Sequence, residues 1–195
     1  RSLSPSNINF PLNNVLYKGV NRLVMGVKMH HLANELKYHY SICILEQIKN
    51  IVALEEDVSI MFCIGEIDAR VNEGIWTYSN KYNLNINNVI NDTVKGYIDF
   101  LVFHLKECGS LNIILQGIPA PVITNERALA VGNVGMYIEM VKNLNNEIKM
   151  YALSNNFSFL DVYSATVGDN GQSNGVWHID ANHISPLFYL QSAQW

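Results

Sequence analysis

Asp180 and His183 lie three residues apart in Trp177-His178-Ile179-Asp180-Ala181-Asn182-His183-Ile184-Ser185-Pro186, close to the C-terminus. An acid beside an imidazole suits a hydrolase: the carboxylate fixes the tautomer of the ring, and the ring takes a proton from a nucleophile. Three residues is about one turn, so both side chains can face the same way. The plainer reading is a loop Asp that caps the next helix, with a His packed beneath it. A second group of reactive side chains is Gly65-Glu66-Ile67-Asp68-Ala69-Arg70, directly after the apolar run Val58 to Ile64. Charged residues at the carboxyl end of a buried parallel strand lie where open α/β sheets take ligands. In an extended chain Glu66, Asp68 and Arg70 would share one side; an Asp–Arg pair that only pins the loop is the architectural alternative. Gly26 would let a backbone N–H approach a ligand closely, or would simply permit a tight turn. His30 and His31 are adjacent and cannot both face one metal from a helix, so they read as helix-start residues. The six histidines and the acids show no recognised ligand spacing beyond the Asp180/His183 pair, and neither a metal nor a cofactor is expected.

The elements that must position these groups follow from the apolar pattern. Val58 to Ile64 has the length and continuity of a central parallel strand covered on both faces. Leu111 to Leu115 is a second such strand, and Pro119 and Pro121 force the chain out of the sheet just after it. Phe157 to Val162 is a short last strand. Helical spacing marks Tyr40 to Leu54, with Ile42, Leu45, Ile48 and Val52 on one face. It also marks Ile86 to Cys108, ended by Gly109, and Asn133 to Asn155, with Tyr137, Val141, Leu144, Ile148 and Tyr151 on one face. His104 falls on the apolar side of its helix and reads as a packed histidine. Residues 71–85 read as a polar loop carrying Trp76, Tyr78 and Tyr82, either a cleft wall or a loop folded back on the domain. Residues 14–28 hold two short apolar runs that suggest a strand, or a strand and a loop. The order strand, helix, strand, helix, strand predicts an α/β fold of three layers, α/β/α, with a mainly parallel sheet. The loops after Ile64, Leu115 and Val162 would then open on one edge.

Composition narrows the class. At 195 residues, with 49% hydrophobic and 15% charged side chains, the chain has the make-up of one globular domain and not of a disordered segment. A net charge of −4 with scattered Lys and Arg argues against a nucleic-acid surface. No apolar run reaches the roughly 20 residues that span a bilayer, so no membrane partner is expected. Cys43, Cys63 and Cys108 are widely separated and odd in number, which favours reduced thiols and a cytoplasmic setting.

The order of these features resembles the SGNH (GDSL-type) hydrolase superfamily, which comprises flavodoxin-like serine esterases, deacylases and some acyltransferases. Asp180-Ala181-Asn182-His183 resembles the closing D-x-x-H block. Gly65-Glu66-Ile67-Asp68 stands where the G-x-N-D block follows the third strand, and Ser2-Leu3-Ser4 resembles the tail of the opening G-D-S-L-S block. The resemblance implies Ser2 as nucleophile, His183 as general base and Asp180 as orienting acid. Gly26 would be the isolated glycine that donates an N–H to the oxyanion, with Gly65, Glu66, Asp68 and Arg70 around it. Two departures stand out. The Gly-Asp and the strand that precede the family's serine are missing, so the chain is expected to be part of a longer one that supplies its first strand. In another register the nucleophile would lie just before Arg1. Second, Ile67 occupies the place of the family's oxyanion Asn, and isoleucine donates no hydrogen bond; losing one such donor typically costs about 10²–10³ in rate. The resemblance implies an ester hydrolase or deacylase for a small acyl ester, an O-acetylated carbohydrate being one such substrate. The alternative is a degenerate relative that keeps the cleft as a binding or assembly module. The oligomeric state is left open.

Overall fold

The computed structural model of the chain describes residues 9–12, 15–34, 39–54, 58–106 and 111–191. Its centre is a parallel sheet of three short strands in the order β3 (Ser59–Phe62), β4 (Asn112–Gln116) and β5 (Ser158–Leu160). Ser59 pairs with Asn112 and Phe62 with Leu115, while Ile114 pairs with Ser158 and Gln116 with Leu160. The side chains of these strands alternate between two apolar clusters, as a pleated strand buried on both faces requires. Ile60, Phe62, Ile113 and Leu115 join the larger cluster, and Met61, Ile114 and Leu160 face the smaller one.

The larger cluster is covered by helices. The long α5 (Ile86–Leu105) and α7 (Val134–Ser154) pack on each other and bury Val94, Leu101, Val141 and Leu144 completely or nearly so. Asparagines start both helices. The side chain of Asn85 accepts from the N–H groups of Asn87 and Asn88, and that of Asn133 from the N–H of Met136. Each satisfies donors that a helix start leaves unpaired. The short α1 (Met29–Ala33) crosses α5 at Gly96, and α2 (His39–Leu54) joins the same cluster through Ile44 and Ile48. Ile42, expected on the inner face of α2, is 60% exposed; the buried stripe runs through Ser41, Ile44 and Ile48 instead.

The opposite face of the sheet is covered differently. An antiparallel hairpin of β1 (Asn9–Leu12) and β2 (Val15–Lys18) brings Phe10 and Tyr17 against it, and α9 (Leu187–Gln191) adds Phe188 and Tyr189. Residues 14–28 therefore yield one strand, β2, whose partner β1 was not anticipated, and the second apolar run is a turn ahead of α1.

Two further expectations are corrected. Residues 71–85 are not a loop: α4 (Ile75–Tyr82) occupies most of them, burying Ile75, Trp76 and Ser79 on one side. Its C-cap Asn83 is left-handed at φ 49°, two residues before Asn85, the N-cap of α5, so these two asparagines punctuate the helices. After the Pro loop, α6 (Asn125–Val131) was unforeseen. The last strand ends at Leu160, because Asp161 caps α8 (Val162–Thr166) by accepting from the Ser164 N–H. Among the described residues no helix is long and apolar enough to cross a membrane.

Candidate active site

The Asp180–His183 segment is a narrow loop tied at its base. The N–H of Ser185 donates to the Trp177 carbonyl at 2.7 Å, and the N–H of Ile179 to the His183 carbonyl at 2.9 Å. Ile184, fully buried, and the edge-on contact of Trp177 with Phe188 anchor that base in the smaller core. At the tip one oxygen of Asp180 accepts the N–H groups of Asn182 (2.7 Å) and His183 (2.8 Å). The other oxygen lies 2.7 Å from His183 Nδ1. Asp180 therefore shapes this turn and contacts the imidazole, but it caps no helix, since the next one begins only at Leu187. Partial burial raises its pKa, but the Asn182 N–H, the His183 ring and the His183 N–H outweigh this and hold the carboxyl down at about 2. An ionised carboxylate against Nδ1 favours the tautomer that carries its hydrogen on that nitrogen. The His183 side chain is 22% exposed.

Arg127, on α6, braces this loop and lines the same crevice as Ala181 and Asn182. Its guanidinium donates to the carbonyls of Ala181 (2.7 Å) and Val122 (3.1 Å) and to the side-chain oxygen of Asn182. Nothing in the sequence singled out Arg127: it stands alone in a stretch without a strong apolar period.

The loop after β3 forms the facing wall. Gly65 has φ +128° and caps the single turn α3 (Glu66–Ala69). Its dihedral is one that other side chains rarely adopt, and a Cβ on Gly65 would press against Ile118 Cδ1 at 3.0 Å. Because the chain turns into a helix here, the alternation expected of an extended segment is lost. Glu66 and Arg70 fall one turn apart and pair bidentately, Nε and Nη2 of the guanidinium donating to the two carboxylate oxygens (2.8–2.9 Å), while Nη1 donates to Glu73 at 2.7 Å. Asp68 points away from them, under α1. It is 2% exposed, accepts the Met29 N–H at 2.8 Å, and caps that helix across 39 residues of sequence. Burial pushes its carboxyl up to about 7, against the pull of the Met29 and His30 N–H groups. No Asp68–Arg70 pair forms; the ion pair that pins this loop is Glu66–Arg70.

Three loops meet in one shallow crevice. Glu66 and Arg70 come from the end of β3, Pro119 and Pro121 from the end of β4, and Ala181 and Asn182 from the Asp–His loop. Gly26 lies in an exposed turn at φ +75°, three residues before Met29, whose N–H is already taken by Asp68. Ile67 is half-buried in α3. Ser2, the expected nucleophile, lies outside the described residues. Also unforeseen is His178, which lines the crevice with its Nδ1 2.7 Å from Ser173 Oγ. A Ser and a His five residues apart form no recognised motif. Among the described residues no group of three or more His, Cys, Asp or Glu is arranged to hold a metal ion. Neither any family model nor any curated protein matches the chain.

Proposed function

We propose that the chain is a serine ester hydrolase or deacylase of SGNH type, with a three-layer flavodoxin-like fold, acting on small acyl esters such as O-acetylated carbohydrate. The observation that carries this reading is the 2.7 Å contact between Asp180 and His183 Nδ1, on a braced loop beside the ends of β3 and β4. In the proposed reaction Ser2 Oγ forms a bond to the acyl carbon while its proton passes to His183 Nε2. His183 then returns that proton to the departing alkoxide. Water, deprotonated by the same nitrogen, releases the acid and restores the serine. Asp180 keeps the ring in the required tautomer throughout.

Ile67 favours a second reading, a cleft retained for binding alone, since its side chain offers no donor to an oxyanion and Glu66 and Arg70 neutralise each other. Hydrolysis of p-nitrophenyl acetate by the whole protein and by His183→Ala separates the two. The hydrolase reading predicts turnover that falls by at least about 10³ in the variant. Turnover that is absent from folded protein, or unchanged by the substitution, would leave only the binding reading.

A further inference from the structure

Beside the crevice, on the outer side of the 173–180 loop, is a second concavity lined by Val122, Ser173, Gly175, His178 and Asp180, among others. His178 belongs to both depressions. Ser173 Oγ is 2.7 Å from His178 Nδ1 and accepts the Gly175 N–H at 3.1 Å. Ser173 Oγ, already accepting the Gly175 N–H, is placed to turn its own hydrogen toward His178 Nδ1. The scaffold under both residues is fixed: the Ser173 N–H donates to the Pro121 carbonyl at 2.9 Å, and the Ala120 N–H to Thr166 Oγ1 at 2.9 Å. A hydroxyl within hydrogen-bond distance of an imidazole nitrogen is the contact by which a base activates a serine.

We propose that Ser173 and His178 form a second nucleophile–base pair, independent of Asp180–His183, that accepts an acyl or phosphonyl group from an activated ester. Ser173 Oγ bonds to the electrophilic carbon or phosphorus as its proton passes to His178 Nδ1. The protonated ring then gives that proton to the leaving group, and a water molecule activated by the same nitrogen cleaves an acyl adduct. The Gly175 N–H, directed at Ser173 Oγ, stabilises the developing alkoxide. The groups facing the ring support a neutral base. Removal from water and the Arg127 charge hold the His178 pKa below its usual value, and the opposing pull of Asp180 and the Ala120 carbonyl does not reverse this.

The test is labelling of the whole protein with a fluorophosphonate, followed by peptide mapping in the mass spectrometer. An adduct on Ser173 is expected, lost in His178→Ala and retained in His183→Ala. Its formation rate should already be level by about pH 7, as a base titrating below the usual histidine range requires. The variant Ser173→Cys supplies a second readout: with His178 as proton acceptor its alkylation by iodoacetamide should titrate below the roughly 8.5 of a free thiol, and return to it when His178 is also removed. A purely structural Ser–His contact would give no adduct at Ser173 and an ordinary thiol titration, and either result overturns the proposal. An adduct at Ser2 alone, dependent on His183, would overturn it while sustaining the proposed function. An adduct at Ser173 alone, with ester turnover unchanged in His183→Ala, would do the reverse.

Discussion

At the scale of single residues, the two aspartates near the site have opposite electrostatics and should leave opposite marks on stability. Asp180 has its pKa lowered to about 2, so its contribution is present above the ordinary carboxylate range and disappears as pH falls toward 2. Asp68 has its pKa raised to about 7. The folded state then holds a proton that the unfolded chain has released. Stability from this group is complete below about pH 4 and is lost as pH rises through about 7. Asp68→Asn keeps an oxygen for the Met29 N–H and removes the titration. Urea unfolding at pH 4.5 and pH 8 should therefore show the variant gaining on the wild type as pH rises; a gap that is constant, or that moves the other way, would contradict the buried neutral acid. Gly65 makes a backbone prediction. Gly65→Ala forces a side chain to φ +128° and against Ile118, which should cost about 1–3 kcal/mol in the urea midpoint.

At the scale of elements, α6 matters because Arg127 carries the Asp–His loop. Arg127→Ala removes the donors to Ala181 and Asn182, so amide exchange over 178–183 should quicken markedly while α5 and α7 keep their protection. Equal exchange in both proteins would mean the loop is held by its base alone. The α1–α5 crossing is set by Gly96: a Cβ there would come within 2.5 Å of Ala33 Cβ. Gly96→Ala gains about 1 kcal/mol of helix propensity but overpacks the crossing by about 1–3, so thermal unfolding should move down or hold, not rise. The long elements were legible in the sequence because their apolar periods are long: α5, α7, β3 and β4 lie within two or three residues of expectation. Among the short ones β5 was legible in Phe157 to Val162, but α3, α4 and α6 were not. Only tertiary contacts decide α3 and α4: Trp76 is helical because it packs edge-on against Tyr137, and Asp68 turns inward because α1 needs a cap. The Asp180/His183 pair was legible because both partners sit in one short stretch. Arg127 and Ser173 were not, since their partners lie 54 residues away or form no known spacing.

At the scale of the molecule, the sheet is gripped from two sides by different means. Helices cover one face, and the β1–β2 hairpin with α9 covers the other, each with its own buried cluster. Leu144, in the first, and Phe188, in the second, are both essentially inaccessible. If the sheet couples the two clusters into one unit, Leu144→Ala and Phe188→Ala should each cost on the order of 2–5 kcal/mol and leave a single transition seen alike by tryptophan fluorescence and circular dichroism. Two separated transitions in Phe188→Ala would show that the hairpin face unfolds by itself. That face also carries the base of the Asp–His loop through Ile184 and Trp177, so the geometry of the proposed catalytic pair depends on it. The most direct measurement of that pair is kcat/KM for p-nitrophenyl acetate in Asp180→Asn against wild type. Since an amide at this position favours the wrong tautomer of His183 while filling the same space, we predict a fall of roughly 10⁴-fold in a protein whose circular dichroism shows it still folded at neutral pH; a value within a few-fold of wild type would contradict a catalytic role for the pair.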